Sequence, residues 1–194
     1  MNDKIQVLKK YNFWGNKVID LGYLRQAYTN KILDYSGNRL VKVLTGQRRS
    51  GKSYILRQVA KVIIDNGVLP DNTLIINKEF TDFDFLCNHH DLDELIKQYK
   101  SEIKPLGKIY IFLDEIQNIK DWEKVVNSYS QDYTDSYELY ISGSNSKMLS
   151  GELATLLSGR YINIEIFPFS YNEFAAITGS RKNKDSYLEY LSGG

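Results

Sequence analysis

The sequence predicts an α/β fold, a three-layer sandwich around a mostly parallel five-stranded sheet. Short apolar runs alternate with longer stretches of helical period, the pattern of repeated strand–helix–strand units. The run Ile109 to Leu113 (IYIFL) is apolar throughout, which suits a central strand covered by helices on both faces. The 194 residues amount to about one domain and part of a second. A composition of 42% hydrophobic and 25% charged residues excludes disorder and fibrous repeats.

In chain order, residues 1–38 read as a helical lead-in, helical around Tyr23 to Tyr35 and turning at Ser36-Gly37-Asn38. The first strand is Leu40 to Leu44. Ile55, Leu56, Val59, Ala60, Ile63 and Ile64 then recur at helical spacing, giving a helix of about four turns that stops at Asn66-Gly67 ahead of Pro70. Further strands are Thr73 to Asn77, Ile109 to Leu113, Glu138 to Ser142 and Tyr161 to Phe167. The helices between them are Asp91 to Lys100, one starting at an Asp121 N-cap, and a short one at Glu152 to Leu157. Residues 39–168 thus form the core. Phe169 to Ile177 and Asp185 to Leu191 read as helix starts, so 169–194 reads as the cut beginning of another unit.

Several function classes fall away early. Lys and Arg number 25 against 24 Asp and Glu, and 25 − 24 = +1 gives no whole-chain field for nucleic acid. A single cysteine, Cys87, forms no internal disulfide, and Met1 to Gly15 lacks the apolar core of a secretory signal, so the expected compartment is the cytoplasm. The five-residue run at Ile109 is far short of the ~20 residues of a membrane-crossing helix.

The chemistry sits at strand ends. Gly46-Gln47-Arg48-Arg49-Ser50-Gly51-Lys52-Ser53 is a full GxxxxGK[ST] pattern, a Walker A P-loop, between a buried strand and an amphipathic helix. Its backbone N–H groups would curl around a phosphate chain, with Gly46, Gln47, Arg48, Arg49, Ser50, Gly51 and the following Tyr54 bordering it. Lys52 would neutralise the β and γ phosphates and Ser53 would ligate Mg²⁺. The third strand delivers Asp114-Glu115, a Walker B pair in which Asp114 holds the metal and Glu115 polarises an attacking water. An N-cap or solvated turn is the plain alternative for two such carboxylates. Ser142-Gly143-Ser144-Asn145 would lie beside the loop if the fourth strand inserts between the first and third. Ser144 or Asn145 would then orient the water, with Ser142 a third choice, or the cluster is an ordinary turn. Arg160 either faces a neighbouring subunit's γ-phosphate or caps a helix.

Taken together, GQRRSGKS, IFLDEIQNIKDW, YISGSNSKML and LSGRYINIEIFPFSYNEF resemble the uncharacterised bacterial and archaeal AAA+ ATPases that carry a C-terminal domain of unknown function. The resemblance runs from Tyr23 to the last residue. It implies a P-loop NTPase sheet in the order 5-1-4-3-2, ATP and Mg²⁺ as ligands, a sensor residue within 142–145, and Arg160 as an arginine finger acting in trans in a homo-oligomer. It also implies a helical lid beginning at 169, and it alone brings in nucleic acid as a partner. Gln47 stands where Pro is frequent and Tyr54 where Thr is common.

Two constellations carry less. Cys87, His89, His90 and Asp91 match no standard zinc spacing and read as a polar loop before a helix. Tyr129, Tyr133, Tyr137 and Tyr140 lack interleaved cations and read as packing. The leading expectation is therefore an Mg-dependent ATPase whose hydrolysis drives a conformational change in C-terminal parts absent from this sequence. A nucleotide-gated interaction switch with little turnover and a P-loop kinase are the competing readings.

Overall fold

The computed structural model describes residues 3–15, 17–143, 148 and 152–193. The five strands β1 (Val41–Thr45), β2 (Thr73–Asn77), β3 (Ile109–Asp114), β4 (Tyr137–Ser142) and β5 (Tyr161–Glu165) form one sheet in the order β2-β3-β4-β1-β5. This is the expected 5-1-4-3-2 order. Every pairing is parallel, in place of the mostly parallel sheet expected. Each parallel step requires a crossover, and the helices provide them: α3 (Lys52–Asp65) after β1, α4 (His89–Ile103) after β2, α5 (Trp122–Gln131) after β3 and α6 (Glu152–Leu156) after β4.

The period of two along a strand sends alternate residues to opposite faces. Ile109, Ile111 and Leu113 join one apolar cluster with Leu92, Leu95 and Val126, while Phe112 joins another with Ile55, Val59 and Tyr140. The sheet is thus buried on both sides, the reason that β3 reads as a continuous apolar run. Pairs such as Phe112 and Tyr140, stacked with ring centroids 4.7 Å apart, fill the α3 side.

Four features differ from the expectations. Helix α1 (Asp3–Tyr11) precedes α2 (Gln26–Leu33) in the lead-in, and it buries Ile5 and Leu8. Asn12, just after α1, accepts from the Ile75 N–H at 2.6 Å and donates to its carbonyl at 3.0 Å, closing part of the open edge of β2. Asp121 occupies the N-cap position of α5 in the left-handed region (φ 58°), where its side chain makes no cap hydrogen bond. Its carboxylate turns to Lys124 at 3.0 Å instead. His89 and His90 begin α4, whose capping box is made by Asn88 and Asp91. Of the four tyrosines, Tyr129, Tyr137 and Tyr140 are buried as packing requires, but Tyr133 is 88% exposed.

After β5, α7 (Tyr171–Thr178) and α8 (Lys184–Gly193) follow. The first is set by a Ser170–Glu173 capping box, and Gly179 ends it in the left-handed region. No helix among the described residues is long and apolar enough to cross a membrane.

Candidate nucleotide-binding site

The carboxyl ends of all five parallel strands meet at one edge of the sheet, the position at which open α/β sheets bind ligands. There β1 runs into Gly46, β2 ends in Asn77, β3 in Asp114, β4 in Ser142, and Ile166 follows β5.

The loop between β1 and α3 owes its path to its glycines. Gly46 has φ 151°, and a Cβ there would collide with the Ile166 carbonyl oxygen. Gly51, at φ 92°, is the N-cap of α3 and offers no side-chain acceptor, so the first N–H groups of the helix have no cap from it. Together with the helix dipole they make an anion-binding terminus. Arg49 also holds a positive φ of 66°, a strained position for a residue with a side chain. The Lys52 side chain is buried and bridges the loop, its Nζ donating to the Gly46 and Gln47 carbonyls at 3.1 and 2.9 Å. The side chains of Gln47, Arg48 and Arg49 face outward; Arg48 pairs with Glu79 at 3.1 Å. Ser50 is buried, and its hydroxyl has no partner among the described residues. Tyr54 is partly exposed, with the Arg57 guanidinium 4.2 Å above its ring.

Asp114 and Glu115 enter this space from β3. Lys52 Nζ lies 3.8 Å from Glu115 Oε1. Asp114 is buried; it accepts from Asn77 Nδ2 at 2.7 Å and from the Ser142 hydroxyl, which in turn accepts from the Glu115 N–H at 3.3 Å. Burial pushes the Asp114 carboxyl above its ordinary value, with the neighbouring Glu115 charge adding to the rise. The Ser142 and Ser53 hydroxyls and Lys52 pull it down by less. The Asp114 carboxyl beside the Ser53 hydroxyl forms a hard oxygen donor set of the kind that suits Mg²⁺. Ser53 and Asp114 also border a common cavity of about 440 Å³.

A second cavity, of about 600 Å³, is within the size range of small-molecule sites. The loop residues Arg48, Arg49, Gly51, Lys52 and Ser53 line it together with Glu115. Tyr54 from α3, Gly22, Tyr23 and Arg25 from the lead-in, Glu79, and Phe169 and Ile177 from beyond β5 also line it.

The expected residues Lys52, Ser53, Asp114 and Glu115 therefore come together. Ser144 and Asn145 lie outside the described residues, although β4 does insert between β1 and β3 and its last residue, Ser142, reaches Asp114. Arg160 lies elsewhere. Its carbonyl accepts from the Val41 N–H at 3.0 Å, at the amino ends of β1 and β5. Five strand residues at ~3.3 Å each separate that end from Gly46, about 16 Å.

The sequence reading missed three residues here. Asn77 closes an apolar strand as Asp114 does, a signal that was present in TLIIN. Arg25 has no motif. Its buried guanidinium donates to the Ser50 carbonyl at 3.0 Å and the Phe167 carbonyl at 2.8 Å, and pairs with Glu173 at 2.7 Å. Gln117 donates to Glu115 at 2.5 Å.

Comparison with known proteins agrees with this geometry. A family model described as an AAA domain matches residues 38–175. Among curated proteins, an uncharacterised protein of Haemophilus influenzae is 36% identical over 162 residues, covering 84% of this chain and 38% of its own length. An uncharacterised protein of Methanocaldococcus jannaschii is 35% identical over 142 residues, covering 69% and 28%. The chain thus spans less than two fifths of the length of these relatives. Among solved structures, a closed-state Hsp104 with ATPγS and casein superposes with a TM-score of 0.56 at 18% identity, over 92% of this chain and 31% of that one, a likeness of fold. The chain belongs to the AAA domain family and is a nucleotide-binding, ATPase-like domain of the P-loop type.

Proposed function

We propose that this domain binds ATP with Mg²⁺ and hydrolyses it, and that the cycle is coupled to movement of the helices after β5. The observation that carries the reading is the convergence of the buried Lys52, Asp114 and Glu115 beneath the amino end of α3. Lys52 would leave the Gly46 and Gln47 carbonyls for the β and γ phosphates, joined by the backbone N–H groups of the loop. Ser53 and Asp114 would hold Mg²⁺, which when bound supplies positive charge to the phosphate oxygens. Glu115 would take a proton from the attacking water as the γ-phosphate leaves ADP. Ser142, with Ser144 or Asn145 after it, would orient that water or the γ-phosphate.

The cavity wall supports a place for the base. Tyr23 and Phe169 meet edge to face with centroids 5.8 Å apart, and with Tyr54 and Ile177 they give apolar walls of the type that hold a heteroaromatic ring. The position of Arg160, at the far end of β1, supports a role in trans. It would stabilise charge on a neighbouring subunit's nucleotide in a homo-oligomer. The link from Ser50 through Arg25 to Glu173 supports coupling, since it ties the phosphate loop to α7.

Mg-ATP binding is tested by thermal unfolding. Ligand at 100 times its Kd contributes ~2.7 kcal/mol, which for this size raises Tm by roughly 5 to 10 °C. Wild type should show that rise and Lys52→Ala should show none. An unmoved wild-type Tm at millimolar Mg-ATP would overturn the reading.

A further inference from the structure

The backbone turns sharply after Asp114. Glu115 sits in the left-handed region at φ 52°, and a single 3-10 turn over Ile116–Asn118 follows. This turn folds Gln117 back over Glu115, and Gln117 Nε2 donates to Glu115 Oε2 at 2.5 Å. Among the described residues, this is the one hydrogen bond that the Glu115 carboxylate receives. Its other oxygen faces Lys52 at 3.8 Å, beyond hydrogen-bond length. The other end of the Gln117 amide lies against the end of β4. Its Oε1 is buried without a hydrogen-bond partner among the described residues, and it lies so close to Gly143, the residue after β4, that a Cβ there would collide with it. Met148 crowds the same spot.

Among the described residues the amide makes one hydrogen bond, the one to Glu115. An apolar side chain of equal length would fill the same space without that bond. What the amide supplies is an N–H aimed at one carboxylate oxygen, while its Oε1 takes the space that a Cβ at Gly143 would fill.

We propose that Gln117 is a positioning residue for hydrolysis. It holds Glu115 Oε2 so that Oε1 alone is left to take the proton of the attacking water. This rests on the hydrolase reading of Glu115. A carboxylate misplaced by about 1 Å can lose on the order of 100-fold in rate.

The test compares wild type, Gln117→Met, Gln117→Asn and Glu115→Gln in steady-state phosphate release from Mg-ATP, with Tm recorded with and without nucleotide. Gln117→Met keeps the volume and removes both amide atoms. It should fold with a Tm near that of wild type, keep the ATP-induced Tm rise and a KM within about two-fold, and lose 10- to 100-fold in kcat. Gln117→Asn, with a shorter amide, should recover part of that loss. Turnover by wild type that Gln117→Met leaves within two-fold overturns the role of Gln117 alone. Loss of the ATP-induced Tm rise together with kcat in both Gln117 variants also overturns it, by making the residue a binding or folding element. Wild type that binds ATP without turnover above Glu115→Gln overturns the hydrolase reading and this role with it.

Discussion

Glu138 shows how far single residues can depart from the expectation that charge stays outside. Its side chain, on β4 itself, is fully buried, paired with Lys42 at 2.9 Å and with Lys108, and it accepts from Tyr140 at 2.7 Å and Ser36 at 3.0 Å. Burial alone would raise its carboxyl. The hydrogen bonds from Lys108 and Lys42 outweigh this and hold it at about 2, below an ordinary value of 4.5. The folded pKa is depressed, so the stabilisation is complete above pH 4.5 and is lost as pH falls towards 2. Its size is on the order of 3 kcal/mol. Thermal melts from pH 6 to 2.5 should therefore fall more steeply for wild type than for Glu138→Gln. At neutral pH the variant should be the less stable of the two, because Lys42 remains buried without its counter-charge. Parallel curves for the two proteins would contradict the assignment. None of this was legible in the sequence. Lys42 and Glu138 are 96 positions apart, and each breaks an apolar run in a way that reads as an ordinary polar position.

At the scale of elements, legibility tracked how local the determinants are. The continuous apolar runs gave β1 to β4 with ends shifted by a residue or so, and the capping, Gly and Pro signals gave α3. Helix α1 escaped because it is short and buries just Ile5 and Leu8, three positions apart, against a strand edge some seventy residues away. Asp121 was the right position with the wrong mechanism, since an N-cap side chain reaches its N–H from extended backbone and this one is left-handed. The phosphate loop and the acid pair were legible because their spacing is set by backbone geometry alone. Arg25 was not, because its partners Ser50, Phe167 and Glu173 come from three other parts of the chain.

The Arg25–Glu173 pair joins the lead-in, the phosphate loop and α7. Burial raises the Glu173 carboxyl, but hydrogen bonds from Arg25 and Ser170 outweigh this and leave it lowered, so the pair is ionised at neutral pH. Removing one partner of a fully buried pair costs about 3 to 5 kcal/mol, and because the Glu173 side chain is 22% exposed the cost here sits at the lower end, about 3 kcal/mol. At roughly 2 to 4 °C per kcal/mol for this chain length, Arg25→Ala should lower Tm by about 10 °C. Glu173→Ala should lower it as well, and the double variant should lose clearly less than the sum. Additive losses would mean that the pair is not the link between these elements.

At the scale of the whole molecule, one geometric fact organises the function. The five strand ends place Lys52, Asp114 and Glu115 together at one edge of the sheet, and Arg160 stands just before β5 at the opposite edge, one strand length of about 16 Å along the backbone. A site completed between copies of the chain should have a specific activity that rises with protein concentration, whereas a site complete within one chain should not. The decisive measurement is phosphate release from Mg-ATP per mole of protein across a wide range of protein concentrations, with Glu115→Gln in parallel. Turnover that rises with concentration and is abolished by Glu115→Gln is the expected result. Turnover that survives Glu115→Gln, or no turnover by wild type at any concentration, would contradict the assignment of this site as a hydrolase.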